Sequence, residues 1–458
     1  MSDPATQDPS RQRRLLLFTN KLGYQTRSFE EAARKHNTEL IYVTDRCHQL
    51  EDPWNDRAIA VHFEVAQSAA ANVVEAMHGK SVDGILALGD SPSVAAAYTA
   101  RELGISYNHP AAVEACRSKL RMREVFQQAG LKTPWFRVMN LDPLPEPALL
   151  GISYPCVLKP LSLSASRGVI RVNNRDEFAS AAQRIRKLLE SPEIRATREA
   201  HLDQILVEGY IAGREVAVEG LLTDGVLKVL TIFDKPDPLE GPYFEETIYV
   251  TPSNLTEWQQ FAIHKCAQES ARAIGLTRGP VHAEFRIDSE GAVNDQVWPL
   301  EIAARPIGGL CARALRFVEN QKQIIENKSA KEASIGLEEL LLLHSLDLPV
   351  NTWTREKIAS GVMMIPVPST GILESVQGED AARETLGITE LLITARLHDY
   401  IEAWPEGASY LGFLFAAAET PREVEQTLRA AHAKLGFTMT PRLPVQHPTH
   451  HASRGSAR

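Results

Sequence analysis

Two segments near residue 290 alternate apolar residues with charged or polar ones. In "VHAEFRI" the polar positions are His282, Glu284 and Arg286, and in "LEIAAR" the charged positions are Glu301 and Arg305. Because alternate residues of a strand share one face, pairing of the two segments would place two carboxylates, a histidine and the two arginines on one surface. Two carboxylates that bridge divalent cations, with nucleotide phosphates completing the coordination shell, form the usual magnesium arrangement. Taken by itself, the same alternation is also typical of a solvated sheet face with cross-strand charge pairs.

A lysine stands at the end of another apolar run, directly before a segment of small residues. Lys159 follows the end of a predicted buried strand, and Pro160 terminates that strand. The small residues after it are Ser162, Ser164, Ala165, Ser166 and Gly168. A lysine in this position can hold nucleotide phosphates by charge while backbone N–H groups of the loop surround them. The motif GxxxxGK[ST] is absent, so this is not a Walker loop, and a surface turn with an incidental lysine is the alternative.

A third segment, "VEGYIAGREVAVEG", joins two predicted strands. Glu208 ends the first strand, Tyr210 and Ile211 continue the chain, and Glu215 lies at the start of the next strand. Such a segment can offer backbone hydrogen bonds to an adenine edge and a carboxylate to ribose hydroxyls. Read alone, it is a hairpin with charged rims.

The chain before these segments alternates strand and helix. Three apolar runs, 14–20, 40–44 and 84–90, predict strands. After the third run we expect a helix with Ser91 as its N-cap and Gly104 at its end. Strand alternating with helix predicts a doubly wound parallel α/β domain, which binds ligands at the carboxyl ends of its strands, here Thr19-Asn20, Asp45 and Gly89-Asp90. No GxGxxG follows the first strand, which argues against a dinucleotide site and a dehydrogenase.

The chain after residue 105 predicts longer helices and then hairpins. We expect one helix over 109–130 and another over about 256–275, with a hairpin turn at Asp224-Gly225. The last hundred residues predict strands and a final helix, in which Thr420 is the N-cap and Glu423 closes a capping box. The fold class expected is therefore α/β together with α+β.

Composition and charge exclude several classes of protein. The chain has 458 residues, of which 44% are hydrophobic and 23% charged, so we expect several globular domains. A net charge of -9 argues against non-specific nucleic-acid binding, and no stretch is long enough for a membrane span. Five scattered cysteines without CxxC indicate neither a disulfide framework nor a zinc site, which fits a reducing cytoplasm. The histidine-bearing C-terminal tail is interpreted as disorder rather than as a metal site.

The three segments, in this order along the chain, resemble the ATP-grasp superfamily from about residue 110 to 320. The resemblance implies ATP as the nucleotide, Mg²⁺ or Mn²⁺ as the metal, and a mobile loop over the phosphates at 162–168. It implies the following roles: phosphate contacts by Lys119 and Lys159 and by the loop residues Ser164, Ser166 and Gly168; an adenine hinge at Glu208, Tyr210 and Ile211; ribose binding by Glu215; metal binding by Glu284 and Glu301; and phosphoryl binding by Arg305.

One position departs from the family pattern. The last motif is commonly Glu-x-Asn-x-Arg, and this chain has Ala303 where the asparagine would stand. Since alanine cannot ligate a metal, a second cation would depend on Glu301, phosphates, water or another side chain.

Within the superfamily, the chain is most similar to the L-amino-acid ligases that make dipeptides. The segments that carry this likeness are "GPVHAEF", "EIAARPIGGLC", "DKPDPLEGPYFEETIYVTPSNL" and "GVMMIPVPSTGILESV". By analogy, His282 and the Gly308-Gly309 turn would lie beside the substrate carboxylate or the acyl phosphate, where His282 could orient a carboxylate or accept a proton. The resemblance implies that a small carboxylate and an amine are joined through an acyl phosphate, with release of ADP and phosphate.

The alternatives are a biotin-carboxylase-like or purine-pathway enzyme of the same superfamily, and an ATP-binding module without catalysis. The expected organisation is a tail at 1–13, an N-terminal α/β domain at 14–112, an ATP-grasp domain at 113–325, a C-terminal α+β ligase domain at 326–440 and a tail at 441–458. We expect a cytoplasmic enzyme that acts on small molecules and can form a homodimer. We expect it to bind neither nucleic acid nor membrane.

Overall fold

The computed structural model describes residues 11–20, 24–45, 58–142, 144, 151–161, 163–199, 201–288, 296–319, 334–407 and 409–441. Ser162 and the predicted terminal tails beyond these ranges lie outside the described residues. The described strands are β1 (Arg13–Thr19), β2 (Thr38–Thr44), β3 (Ala58–Ala60), β4 (Gly84–Leu88), β5 (Phe136–Asn140), β6 (Cys156–Pro160), β7 (Ile170–Val172), β8 (Gln204–Gly209), β9 (Arg214–Thr223), β10 (Val226–Asp234), β11 (Ile248–Thr251), β12 (Gly279–Asp288), β13 (Gln296–Ala303), β14 (Arg316–Glu319), β15 (Ser334–Gly336), β16 (Trp353–Arg355), β17 (Ala359–Ile365), β18 (Gly371–Gln377), β19 (Ile388–Ile393), β20 (Tyr400–Ile401), β21 (Gly412–Ala418) and β22 (Gly436–Thr440). The described α-helices are α1 (Tyr24–Lys35), α2 (Ala66–Ala76), α3 (Asp90–Leu103), α4 (Pro110–Arg117), α5 (Lys119–Gln128), α6 (Arg175–Leu189), α7 (Pro192–Ala196), α8 (Glu257–Ile274), α9 (Leu337–Ser345), α10 (Glu379–Arg383) and α11 (Pro421–His432).

The N-terminal part is a parallel sheet with strand order β3-β2-β1-β4, and helices lie between its strands. Its apolar runs are buried on both faces, as expected for parallel strands between helices. Helix α3 ends at Gly104, whose φ of 67° is the left-handed C-cap conformation. The predicted N-cap at Ser91 is wrong, because the helix begins one residue earlier and Gly89 occupies the cap position without a side-chain bond.

The single helix predicted over 109–130 is two helices. Ser118 has an extended backbone (φ -99°, ψ 108°), which separates α4 from α5, and its side chain accepts a hydrogen bond from the N–H of Arg121 as the N-cap of α5. The break could not be predicted from the sequence, because residues with high helix propensity stand on both sides of Ser118. The break makes Lys119 the first residue of a new helix.

A small unit is formed by the antiparallel sheet β5-β8-β6-β7 together with α6 and α7. Its core contains Phe178 and Ile185 from α6 packed with Leu158 and Val207 from the sheet. The small unit presents the end of β6, and therefore Lys159, toward the centre of the molecule.

The central sheet has eight strands in the order β13-β12-β9-β10-β11-β17-β21-β19. The predicted hairpin at Asp224-Gly225 joins β9 and β10, with both turn residues at positive φ. Strand β11 pairs with β17, so the sheet runs without interruption from the middle of the chain into its C-terminal part, a continuity that the sequence did not predict. Two three-stranded sheets, β15-β14-β16 and β20-β18-β22, flank it.

The C-terminal helix α11 begins as predicted. Thr420 and Glu423 form a reciprocal capping box, with Pro421 in the first turn. None of the described helices combines the length and the apolar character that a membrane span requires.

Candidate active site

The two segments near residue 290 pair as antiparallel strands β12 and β13. In this register Glu284 lies directly opposite Glu301, and His282 lies opposite Ala303. The face is covered rather than solvated, since the side chain of Glu284 is 14% exposed and that of His282 is 7% exposed. The interpretation as a solvated sheet face is therefore wrong. The oxygen donor set of the two glutamates suits a hard divalent cation, while Ala303 offers no ligand atom.

Lys235 lies among three carboxylates beside this pair. Its Nζ donates to Glu215 and Glu284 at 2.8 Å each and to Glu246 at 2.5 Å, and the side chain is 3% exposed. Burial by itself lowers the pKa of a lysine, but the three carboxylates outweigh it and raise the pKa of Lys235 well above its ordinary value. The ammonium is therefore a fixed positive charge at the centre of the acidic cluster.

The sequence analysis missed Lys235 and Glu246. Both lie in the segment that joins β10 to β11, which has no regular hydrophobic period. One signal was present: Lys235 directly follows the strand β10, as Lys159 closes the apolar run of β6. Oxygens of Glu215, Glu246 and Glu284 come within 4.8 Å of one another, which only the fold could reveal.

Glu208 is part of a buried cluster with two cations. Arg123 donates to it through Nε at 2.8 Å and Nη2 at 3.2 Å, and Lys159 forms an ion pair with it. Nη1 of Arg123 also donates to the carbonyl oxygen of Leu300 at 2.9 Å, which ties α5 to the strand that carries Glu301. The side chain of Glu208 thus points toward Lys159, and sequence reasoning missed Arg123 as its partner. A small cavity is lined by Lys119, Arg123, Lys159, Leu206, Glu208, Leu300 and Glu301.

This cluster leads to a prediction about stability. Burial raises the pKa of Glu208, but Arg123 and Lys159 outweigh it and hold the pKa at about 2, below the ordinary 4.5. A group whose pKa is depressed by folding stabilises the fold above its unfolded pKa, and this stabilisation is lost as the pH falls from 4.5 toward 2. We expect Glu208→Gln to lower the free energy of unfolding at pH 7 by about 3 kcal/mol, because two buried cations lose their counter-charge.

Urea unfolding of the wild type and Glu208→Gln at several pH values measures this difference. The control is Glu102→Gln, which removes the partner of Arg101 in a pair whose side chains are both about half exposed and should change stability by less than ~1 kcal/mol. An equal, small effect of both variants would contradict the prediction.

Tyr210 and Ile211 lie beside a buried arginine. Arg286 donates to the carbonyl oxygen of Ile211 at 2.7 Å and to Glu215 at 2.9 Å. Tyr210 lies between two guanidinium groups, that of Arg171 at 4.1 Å from the ring centroid and that of Arg286 at 5.2 Å. These contacts fix the chain segment that connects the small unit to the central sheet.

The segment of small residues after Lys159 has a left-handed backbone. Ala165, Ser166 and Gly168 have φ values of 57°, 53° and 72°. A Cβ at Gly168 would approach Leu188 and Pro160 to 3.0 Å, so both the backbone and the space require glycine there. Near the start of this segment, Nζ of Lys119 donates to the carbonyl oxygen of Leu163. Burial lowers the pKa of Lys119.

A turn at 403–407 holds this segment from the C-terminal part. The N–H of Gly168 donates to the carbonyl oxygen of Pro405 at 3.2 Å, and Nε of Arg167 donates to that of Glu406 at 2.6 Å. The carboxylate of Glu406 is bound by Arg184 of α6, with one N–O distance of 2.9 Å. We call these contacts the turn clamp.

His282 is paired with a buried acid. Its Nδ1 lies 2.5 Å from Glu219, and its Nε2 lies 3.8 Å from Glu284. Burial by itself lowers the pKa of a histidine, but the interactions of its ring N–H groups with the accepting carboxylates of Glu219 and Glu284 raise it to about 9. A raised pKa favours the charged imidazolium, which suits the orientation of a carboxylate better than the acceptance of a proton, and both expected roles of His282 stay predictions.

Arg305 lies at the end of β13 and reaches the N-terminal part. Its Nε donates to Asp90 at 2.7 Å and its Nη2 to the same carboxylate at 3.4 Å. Gly309 has a φ of 63°, a backbone conformation that favours glycine, and a Cβ there would lie 3.4 Å from Phe413. A Cβ at Gly308 would meet nothing within 4 Å, so the space around it does not require glycine.

Comparisons with known proteins agree with this arrangement. The family model of the ATP-grasp domain matches residues 152–314, and that of the L-amino acid ligase C-terminal domain 2 matches residues 363–440. The uncharacterized protein y4rH of Sinorhizobium fredii is 22% identical over 95% of this chain and 85% of its own length. The alanine–anticapsin ligase of Bacillus subtilis (strain 168) is 30% identical over 38% of this chain. The chain spans 39% of that ligase and about half of two further alanine–anticapsin ligases, at 50% and 53% of their lengths.

Among solved structures, the L-amino acid ligase of Bacillus licheniformis has the same fold. Its TM-score is 0.74 at 24% identity, over 94% of this chain and all of that one.

Proposed function

We propose that this chain, which matches the family model of the ATP-grasp domain and that of the L-amino acid ligase C-terminal domain 2, is an ATP-dependent, ADP-forming carboxylate–amine ligase. The observation that carries the proposal is the partly buried pair of carboxylates, Glu284 and Glu301, with cationic side chains near it. Lys119 and Lys159 line one small cavity with Glu301, Lys235 contacts Glu284, and Arg305 lies two residues beyond the end of the strand that carries Glu301. Such a site suits a polyphosphate bound together with a divalent cation.

In the proposed site, the phosphates of ATP lie between Lys119, Lys159 and the segment with Ser164, Ser166 and Gly168. The left-handed backbone at Ser166 gives the segment a concave turn, which is a suitable shape for an anion, and the N–H of Gly168 becomes available to a phosphate only when its bond to Pro405 breaks. The side chain of Lys159 is 15% exposed and forms an ion pair with Glu208. This ion pair fixes the position of the ammonium group before a nucleotide binds.

The nucleoside lies along the connection between β8 and β9. We assign the adenine edge to the backbone around Glu208, Tyr210 and Ile211, and the ribose hydroxyls to Glu215. Both oxygens of Glu215 accept hydrogen bonds, from Lys235 and Arg286, which orient the carboxylate toward that connection.

Glu284 and Glu301 would hold a divalent cation, Mg²⁺ or Mn²⁺, which would neutralise charge on the phosphates. The residues present fit such a cation because both acids are oxygen donors that lie opposite each other in the strand register. With alanine at position 303, the two glutamates are the only ligands that we assign within the described hairpin.

The proposed reaction has two steps. An oxygen of the acid's carboxylate attacks the γ-phosphorus of ATP, the bond to the β-phosphate oxygen breaks, and ADP leaves from an acyl phosphate. The amine nitrogen then attacks the acyl carbon and the bond to the phosphate oxygen breaks, so that inorganic phosphate leaves with the proton that the nitrogen loses as the amide forms. Arg305 binds phosphate oxygens throughout, because its planar fork suits them, and the small-residue segment excludes water from the acyl phosphate.

We further propose that both substrates are small and that at least one is an amino acid, since the C-terminal part matches the L-amino acid ligase domain. The raised pKa of His282 favours a positive charge beside Glu284, and a Cβ at Gly308, three residues after Arg305, would meet nothing within 4 Å. A carboxylase or purine-pathway activity on the same fold is the competing proposal.

A screen of substrate pairs tests the proposal. We expect phosphate release from ATP that requires a carboxylate and an amine together, at least 10-fold above either alone, with an amide product detected by mass spectrometry. Bicarbonate and formate, each with and without an amine, are the matched controls. Phosphate release with bicarbonate or formate but with no pair that contains an amino acid would replace the ligase proposal by the competing one.

A further inference from the structure

Asp90 and Arg305 form an ion pair between two separate parts of the fold. Asp90 is the first residue of α3, at the carboxyl end of β4, and Arg305 lies 215 positions later at the end of the central hairpin. The carboxylate takes the Nε and Nη2 edge of the guanidinium at 2.7 and 3.4 Å, and Nη1 donates to the carbonyl oxygen of Pro306 at 3.1 Å. The orientation of the guanidinium plane is thereby fixed on two sides.

These bonds leave two N–H groups of the Arg305 guanidinium available to a ligand. An arginine has five N–H groups, and the three bonds above use three of them. Within the described residues, the remaining two N–H groups of Arg305 have no acceptor.

Helix α3 also holds the backbone next to Arg305. The hydroxyl of Ser93, one turn after Asp90, lies 3.4 Å from the carbonyl oxygen of Ala304 and 2.6 Å from that of Gly89. The first turn of α3 thus contacts both the side chain of Arg305 and the peptide before it.

The pair is partly buried, with 32% exposure of the Asp90 side chain and 14% exposure of the Arg305 side chain. The carboxylate is nevertheless a firm anion: burial raises its pKa, but Arg305, Arg117 and Lys119 outweigh burial and lower it below the ordinary value.

We propose that Asp90 is a positioning residue for Arg305. It holds the guanidinium in the plane in which the two remaining N–H groups can donate to oxygens of the phosphoryl group that ATP transfers. The inference rests on the proposed ligase function for its biological meaning. Its physical content, an N-terminal residue that determines phosphate binding by Arg305, is independent of which acid and amine react.

The test uses the full chain with MgADP and inorganic phosphate as probes. In the wild type, we expect phosphate to raise the melting temperature further when MgADP is present, and Arg305→Ala to abolish this shift. Asp90→Ala should weaken the apparent affinity for phosphate about 10-fold while leaving that for MgADP within 2-fold. The matched control is Glu39→Ala, which breaks the similarly exposed pair of Glu39 with Arg14 in the same sheet and should leave both affinities unchanged.

A double-mutant cycle separates positioning from a structural role. Since lysine cannot make the two-sided contact, Asp90→Ala should change phosphate affinity less than 2-fold in an Arg305→Lys background, whereas a structural defect would act equally in both backgrounds. If an active substrate pair is found, kcat of Asp90→Ala should fall ~30-fold with little change in KM for ATP, as expected for a misplaced group.

An unchanged phosphate affinity in Asp90→Ala, equal effects in the two backgrounds, or a wild type that shows no phosphate-dependent shift would each overturn the inference. Failure of the ligase proposal is recognised separately, by the absence of amide product while the phosphate shift and its dependence on Asp90 persist.

Discussion

Glu301→Gln is expected to reduce turnover at least ~10³-fold, with Glu284→Gln similar, because each change removes a negative oxygen donor from a two-carboxylate site. The effect should be larger than in a site with three protein ligands, since Ala303 provides nothing to take over. The amide of glutamine preserves the size of the side chain, so the strand pairing of β12 and β13 should persist. Steady-state rates across a range of magnesium concentrations measure the change.

A second readout does not depend on turnover. Binding of Mn²⁺ in the presence of a non-hydrolysable ATP analogue, followed by electron paramagnetic resonance, should weaken at least 10-fold in both variants. Glu319→Gln, which changes an exposed acid on β14, is the control and should bind Mn²⁺ as the wild type does. Near wild-type rates at limiting magnesium in either site variant would show that the metal lies elsewhere.

Lys159→Ala should lower kcat/KM for ATP by about 10²- to 10³-fold. The variant removes a charge-assisted phosphate contact in a site from which much of the water is excluded, where such contacts are strong. The fold should survive, because Glu208 keeps its two-point contact with Arg123. Circular dichroism checks the fold, and affinity for the non-hydrolysable analogue shows whether ground-state binding or phosphoryl transfer is affected.

Lys187→Ala, on the exposed face of α6, is the matched control for loss of one lysine from the small unit and should retain full activity. Wild-type nucleotide affinity together with wild-type turnover in Lys159→Ala would remove this lysine from the proposed site.

The sequence predicted the elements whose residues follow a regular period. The two-residue alternation in β12 and β13 placed Glu284 and Glu301 on one face, and the capping residues Thr420 and Glu423 gave the start of α11. It also indicated that Lys159 ends a strand. In these cases neighbouring residues determine the local structure, so the prediction needs no knowledge of the rest of the chain.

The sequence could not give the contacts that join distant parts. Lys235 meets Glu215, Glu246 and Glu284 only because three strands and a connecting segment converge. The charge state of His282 depends on Glu219, which lies 63 positions away on the neighbouring strand. The break at Ser118 escaped because helix formers surround it, and its extended backbone is visible only in the folded chain.

The turn clamp joins two parts of the molecule that the sequence separates by more than 200 positions. For the small-residue segment to move away from Lys119 and open the proposed phosphate site, the contacts of Gly168 and Arg167 with the turn at 403–407 must break. Any opening of the proposed phosphate site is therefore coupled to this turn of the C-terminal part. A ligand that binds the C-terminal part better when the clamp is closed would change the affinity for the nucleotide by some factor. By thermodynamic reciprocity, the nucleotide changes the affinity for that ligand by the same factor.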